Sequence, residues 1–155
     1  METLKIDKNK AVRLFREVPK WFQEMLINTF GKETFSGKIT DRIKSFDDIC
    51  NEVGVDPDGF IGMPGTPDEI AYKKIKLITS VLNEGVILDW NNSNQQKWYP
   101  YFNLASGSGF SGSRSTYDCT FTSVGSRLCT DTSEKAQYIA KQFEAEYIDF
   151  MLNSK

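Results

Sequence analysis

Apolar residues recur at helical spacing through the first part of the chain. Val12, Phe15, Phe22, Leu26 and Phe30 follow this period, and Gly31 is a natural stop. The spacing predicts a helix from about Asn9 to Phe30. Pro19 splits it, because proline has no N–H to donate and its ring crowds the preceding turn, so a second piece runs from Lys20 to Thr29. The next helix is predicted over Asp47–Val53, capped by Ser45, with Phe46, Ile49, Cys50 and Val53 as its apolar face and Gly54 at its end. Val55 to Gly65 holds two prolines among Gly59, Gly62 and Gly65 and reads as a loop. A third helix has the clearest start in the chain: Thr66 caps, Pro67 takes the first helical position, and Glu69 reaches back to the cap. Ile70, Ile75, Ile78 and Leu82 give it a wide apolar face, and Gly85 follows.

Beyond Gly85 the period changes. Strands are predicted at Val86–Trp90, Trp98–Leu104, Tyr117–Val124 and Arg127–Thr130. In the third of these Tyr117, Cys119, Phe121 and Ser123 alternate with Asp118, Thr120 and Thr122, as in a half-buried antiparallel strand. Asp131 with Glu134 then opens a helix bearing Ala136, Ile139, Ala140, Phe143, Tyr147 and Phe150. The expected fold class is α+β: N-terminal helices, a small three- to four-stranded antiparallel sheet, and a C-terminal helix packed on the sheet. A single domain over 1–155 is expected, with a helical part at 1–54 and a helix-sheet-helix part at 66–155.

Composition narrows the chemistry. Hydrophobic residues make up 39% and aromatics 13% of the 155 residues, enough for a packed core rather than disorder. Met1 to Lys5 lacks the apolar run of a secretion signal, and no window approaches the roughly 18 apolar residues of a membrane span. Three cysteines form no disulfide framework, so reduced thiols and a cytoplasmic location are expected. Cys119 and Cys129 are placed to face each other on neighbouring strands, where a buried apolar role is favoured over a disulfide. The chain has no histidine. That removes serine–histidine and cysteine–histidine nucleophile systems and, with only three scattered cysteines, argues against a structural zinc site, so neither catalysis, cofactor nor metal is expected. Residues 1–45 carry ten Lys/Arg against six Asp/Glu, and the remainder nine against fifteen, which suggests a basic N-terminal face.

Candidate chemistry concentrates between Trp90 and Arg127, where aromatic residues lie among glycines, serines and asparagines. Gly107-Ser108-Gly109-Phe110-Ser111-Gly112 spells G-x-G-x-x-G, but a strand follows it, not a helix, so the dinucleotide reading fails. Too few residues follow for a kinase. What remains is a hairpin loop whose amides, with Ser111, Ser113 and Arg114, suit an anion. Trp98, Tyr99 and Tyr101 alternate across a strand that Pro100 marks as an edge, so at least one ring should face solvent. An exposed ring stacks on a base, while Arg114 or Arg127 pairs with phosphate. Asp56-Pro57-Asp58-Gly59 lacks the ligand register of an EF-hand and reads as a turn. Glu84, Asp89, Asp118 and Asp131 share no spacing that would gather them round a metal.

Three ordered groups of motifs carry a resemblance. They are Asp41-Arg42-Ile43-Lys44-Ser45-Phe46-Asp47-Asp48; then Asn83-Glu84-Gly85, Asp89-Trp90-Asn91-Asn92-Ser93-Asn94-Gln95 and Lys97-Trp98-Tyr99-Pro100-Tyr101-Phe102; then Gly109-Phe110-Ser111, Val124-Gly125-Ser126-Arg127-Leu128-Cys129 and Lys141-Gln142-Phe143. Over nearly its whole length the chain resembles a family of small phage and prophage proteins of gut Bacteroidales-type bacteria. It departs from that pattern at Val86, where an aromatic is expected, and at Thr130-Asp131, where an aromatic–basic pair is expected. The resemblance implies mobile-element origin and a bacterial host cytoplasm, without implying a chemistry. The expected role is a non-enzymatic binding protein that sequesters a nucleotide-like anionic ligand, such as a defence signal, through Trp98, Tyr99, Tyr101, Phe110, Ser111, Ser113, Arg114 and Arg127. One alternative is a single-stranded DNA or RNA binder using Arg13, Arg16, Lys20, Arg42 and Lys44. Another is a virion or host-protein interaction component. A homo-oligomer is compatible with each, and no membrane partner is expected.

Overall fold

The computed structural model describes residues 6–104 and 111–152, and the chain divides into two compact units, Met1–Pro57 and Asp58–Lys155. The first is helical. It contains α1 (Lys8–Phe15), α2 (Lys20–Phe30), two single turns α3 (Glu33–Ser36) and α4 (Ile39–Arg42), and α5 (Phe46–Val53). Pro19 divides α1 from α2 as its chemistry requires and stands at the N-cap of α2 with φ −59°. The carbonyls left open by that break are met by Gln23, whose Nε2 donates to Phe15 O at 2.9 Å and Val18 O at 3.1 Å. Ser45 and Asp48 form a reciprocal capping box on α5, and Gly54 ends it in the left-handed region at φ 72°. Ala11, Leu26, Ile39, Ile43, Ile49 and Cys50 form the buried centre, beside a Phe15–Phe35 ring stack at 4.3 Å.

The second unit is mixed helix and strand. After α6 (Pro57–Ile61), which begins at the boundary, come α7 (Pro67–Leu82), β1 (Lys97–Asn103), β2 (Ser111–Asp118), a 3-10 turn at Ser126–Leu128, α8 (Ser133–Gln142) and α9 (Glu144–Met151). Glu69 accepts from the Thr66 N–H at 2.8 Å, so α7 starts where its capping residues require. The two strands pair antiparallel, with Trp98 opposite Tyr117, Pro100 opposite Ser115 and Tyr101 opposite Arg114. One face of this ribbon meets the last helices. Ser115 lies 3.0 Å from the Ser133 hydroxyl, Gln137 donates to Ser115 Oγ, and the Phe102 ring lies 4.7 Å from that of Tyr147. α8 packs on both strands, and α9 packs on α7.

Several expected elements differ. Among the described residues the sheet has two strands, not three or four. Val86–Trp90 forms no strand: Glu84 (φ 51°) and Gly85 (φ 82°) turn the chain and leave Ile87 88% exposed, so an apolar run without a pairing partner does not become a strand. Tyr117–Val124 is strand only to Asp118. There the carboxylate accepts the Ser123 N–H at 3.1 Å and folds the chain back. Arg127–Thr130 is instead a 3-10 turn followed by one bridge, Trp98 to Thr130. The loop expected at Val55–Gly65 contains the short helix α6, and the expected turn at Asp56–Gly59 runs into its first residues. The last helix is capped by Thr132 rather than Asp131, and it breaks at buried Phe143 into α8 and α9. No helix among the described residues is long and apolar enough to cross a membrane.

Candidate functional site

The cleft with the most distinctive chemistry lies in the second unit. It encloses about 670 Å³ between α7, the segment of Phe60 and Met63, and the 3-10 turn. Lys73, Lys76, Leu77, Ser80 and Asn83 fall at i, i+3, i+4, i+7 and i+10 of α7, the positions that share one helical face. Ser126 and Arg127 approach from the turn. Three cations and two exposed hydroxyls thus line one cleft, and among the described residues no carboxylate does. Among the described residues, Lys73, Lys76 and Arg127 make no salt bridge. Phe60, Met63 and Leu77 supply an apolar wall.

Arg127 is held in place through its turn. Asn83, buried at the end of α7, donates Nδ2–H to Cys129 O at 2.9 Å and accepts the Asp131 N–H on Oδ1 at 3.1 Å. On the other side, Thr130 exchanges backbone hydrogen bonds with Trp98 of β1. A helix and a strand therefore fix the loop that carries the guanidinium. Cys129, next to it, is buried; burial first, then the Asp118 charge, push its thiol up to about 11 against weaker opposition from Thr122 and Lys97. It is a packing group rather than a nucleophile.

Like charges gathered without a counter-acid favour an anion, and the cleft has the size of a small-molecule site. A guanidinium binds phosphate through paired N–H groups, ammonium groups add charge, and an apolar wall accepts a ring.

No protein-family model, characterised protein or solved structure matches this chain.

Among the described residues, Arg127 alone of those expected to bind the anion lines this cleft. Tyr101 and Arg114 stand opposite each other on the ribbon, both exposed, with Tyr101 at 59%. Trp98 is half-buried and lies 4.7 Å from the Tyr117 ring. Tyr99 is buried, with its hydroxyl 3.1 Å from that of Ser123, so its ring is not open to a ligand. Ser111 and Ser113 lie in β2; Phe110 and residues 107–110 of the glycine motif lie outside the described residues.

The five basic residues named for nucleic acid all belong to the first unit. Arg42 pairs with Glu52 at 2.8 Å, and Lys44 Nζ donates to Thr40 O at 2.7 Å. The Arg13 guanidinium lies against Gly54 at the C-terminal end of α5, where a cation complements the helix dipole. Arg16 and Lys20 are exposed. The cleft in this unit, about 470 Å³, is lined by Glu33, Asp41, Asp48 and Glu52 against Lys8 and Arg42, the wrong sign for phosphate.

Sequence reasoning missed Lys73 and Lys76. Their signal was present as Lys73-Lys74-Ile75-Lys76, where the i,i+3 spacing sends the first and last lysines to one side of α7. What no spacing gives is the approach of a turn some fifty residues later.

Proposed function

We propose that this protein is a non-catalytic receptor for a nucleotide-like anionic ligand, sequestered in the cleft of the second unit. The convergence of Lys73, Lys76 and Arg127 without a lining carboxylate carries this reading. The phosphate lies among the three cations and the Ser80 and Ser126 hydroxyls, with the base against Phe60, Met63 and Leu77. Sequestration fits better than turnover because the chain has no histidine and its buried thiol beside the cleft is held protonated. The motif resemblance supports a phage or prophage origin alone; capture of a host defence signal in the bacterial cytoplasm is the role we propose for the cleft.

The test is calorimetric titration of the full chain with nucleoside mono- and diphosphates, cyclic dinucleotides and a length series of oligonucleotides. The proposal expects saturable one-to-one binding to a small nucleotide, weakened by Arg127→Ala at least about tenfold, the cost of one charge-assisted contact of roughly 1.5–3 kcal/mol. Affinity that grows with oligonucleotide length would point to the single-stranded nucleic-acid role. No binding to either class would overturn both and leave a partner-protein role.

A further inference from the structure

The two outer edges of the ribbon are treated differently. β1 is closed at one point, where the Trp98 N–H donates to Thr130 O at 2.9 Å and the Thr130 N–H donates back to Trp98 O. Among the described residues β2 has no such cover. Outside its ladder with β1, no backbone hydrogen bond among the described residues involves Ser111 to Asp118. α8 packs on a face of the ribbon, through Ser133 and Gln137 to Ser115, and not along the edge. An open edge is a template for another strand.

The order of side chains makes this edge complementary to itself. We propose that two copies of this chain pair β2 to β2 about a two-fold axis through Thr116, giving a continuous four-stranded sheet. In that register Thr116 faces its own copy, Ser115 faces Tyr117, and Arg114 faces Asp118 of the second copy twice over. Arg114 is exposed and makes no salt bridge among the described residues. Asp118 spends Oδ2 on Ser123 and keeps Oδ1 for the incoming guanidinium. Centring on Arg114 or Asp118 instead sets like charges face to face, and centring on Ser115 or Tyr117 leaves both charges opposite neutral residues. An axis normal to the sheet keeps both α8 helices on the same face. Each straddles its own β1 and β2, so the two helices come to about 10 Å apart, a helix-packing distance. That second contact adds area which a short strand pairing lacks. The pairing does not depend on what occupies the cationic cleft.

Sedimentation velocity of the full chain over a concentration series reads the association directly. The wild type dimerises, and Arg114→Glu weakens the dimer about tenfold by replacing two attractions with two repulsions. Arg114→Glu combined with Asp118→Arg restores it, which separates register from misfolding. Thr116→Cys forms an intermolecular 116–116 disulfide under mild oxidation, identified by peptide mapping, because directly opposed strand residues lie within disulfide range. A wild type that stays monomeric, a dimer indifferent to Arg114→Glu, failure of the charge swap to restore it, or absence of the 116–116 link overturns the proposal.

Discussion

Lys97 is the least expected residue in the chain. It is fully buried, yet its ammonium donates to Asn92 O at 2.9 Å and Cys119 O at 2.8 Å, 5.3 Å above the Trp90 ring. One side chain thus ties two loops to the face of the ribbon away from α8. Lys97→Met keeps the stem but leaves both carbonyls without their donor, so it should cost about 2–4 kcal/mol in a urea titration. A loss under about 0.5 kcal/mol would mean that the loops hold themselves. Cys129 and Tyr147 set the alkaline limit. Burial is the main cause in each: it pushes the thiol up to about 11 and raises the phenol further still. The folded chain therefore keeps protons that the unfolded chain releases. The thiol's contribution is complete below its ordinary value near 9.0 and is lost as pH rises through about 11, while the phenol's persists to higher pH. The urea midpoint should fall across that window and stay level just below it. Thiol mapping gives a companion check at mildly alkaline pH: half-buried Cys119 reacts first, while buried Cys50 and Cys129 wait for unfolding.

At the level of elements, the longer helices and β1 were legible, while the other strands and the short helices α3, α4 and α6 were not. Pro19, Ser45, Gly54, Thr66 and Pro67 act on their own neighbours: Pro19 stands at the start of α2, Ser45 and Gly54 bound α5, and Thr66 with Pro67 opens α7. A strand needs a partner that the local sequence does not contain. Hence Val86–Trp90, with good strand residues and nothing to pair with, stays outside the sheet, while Ser111–Gly112, with poor ones, lies within it. The Ser45 cap should be worth about 1 kcal/mol, so Ser45→Ala lowers stability by that amount. Asn83 joins two elements, and its loss is expected to read twice. Asn83→Ala leaves Cys129 O and Asp131 N unmet, costing about 2 kcal/mol, and loosens the turn that presents Arg127. Nucleotide affinity then falls, because Asn83 lines the cleft and anchors the turn that carries Arg127. Unchanged affinity with reduced stability would separate the turn from the proposed site.

For the whole molecule, the boundary at Pro57 changes the meaning of the charge pattern. The basic excess over residues 1–45 disappears when the first unit is counted to its end, because Asp47, Asp48, Glu52 and Asp56 bring it to ten against ten. The second unit carries nine cations against eleven acids, yet three of its cations share a cleft without an acid. Distribution, not net charge, points to the anion. A small anionic ligand has no condensed counterions to release, so its affinity should weaken only gently with salt, well short of the steep log–log slope of a polyanion tracked along a surface. Chemical-shift changes on titration should map to the second unit and leave Lys8–Val53 still. Shifts centred on Arg13, Arg16 and Lys20 would move the site to the first unit.

The sequence by itself determined the helical stretches, their caps and breaks, the mixed class, and the absence of histidine-based chemistry. These follow from local sterics, backbone hydrogen bonding and the inventory of side chains, none of which needs a distant partner. Tertiary structure alone decided the two-stranded sheet, the burial of Tyr99 and Lys97, and the cleft that gathers Lys73, Lys76 and Arg127. Each depends on which segments pack together. That choice rests on the burial available to the whole chain, where a residue far along the sequence counts as much as a neighbour.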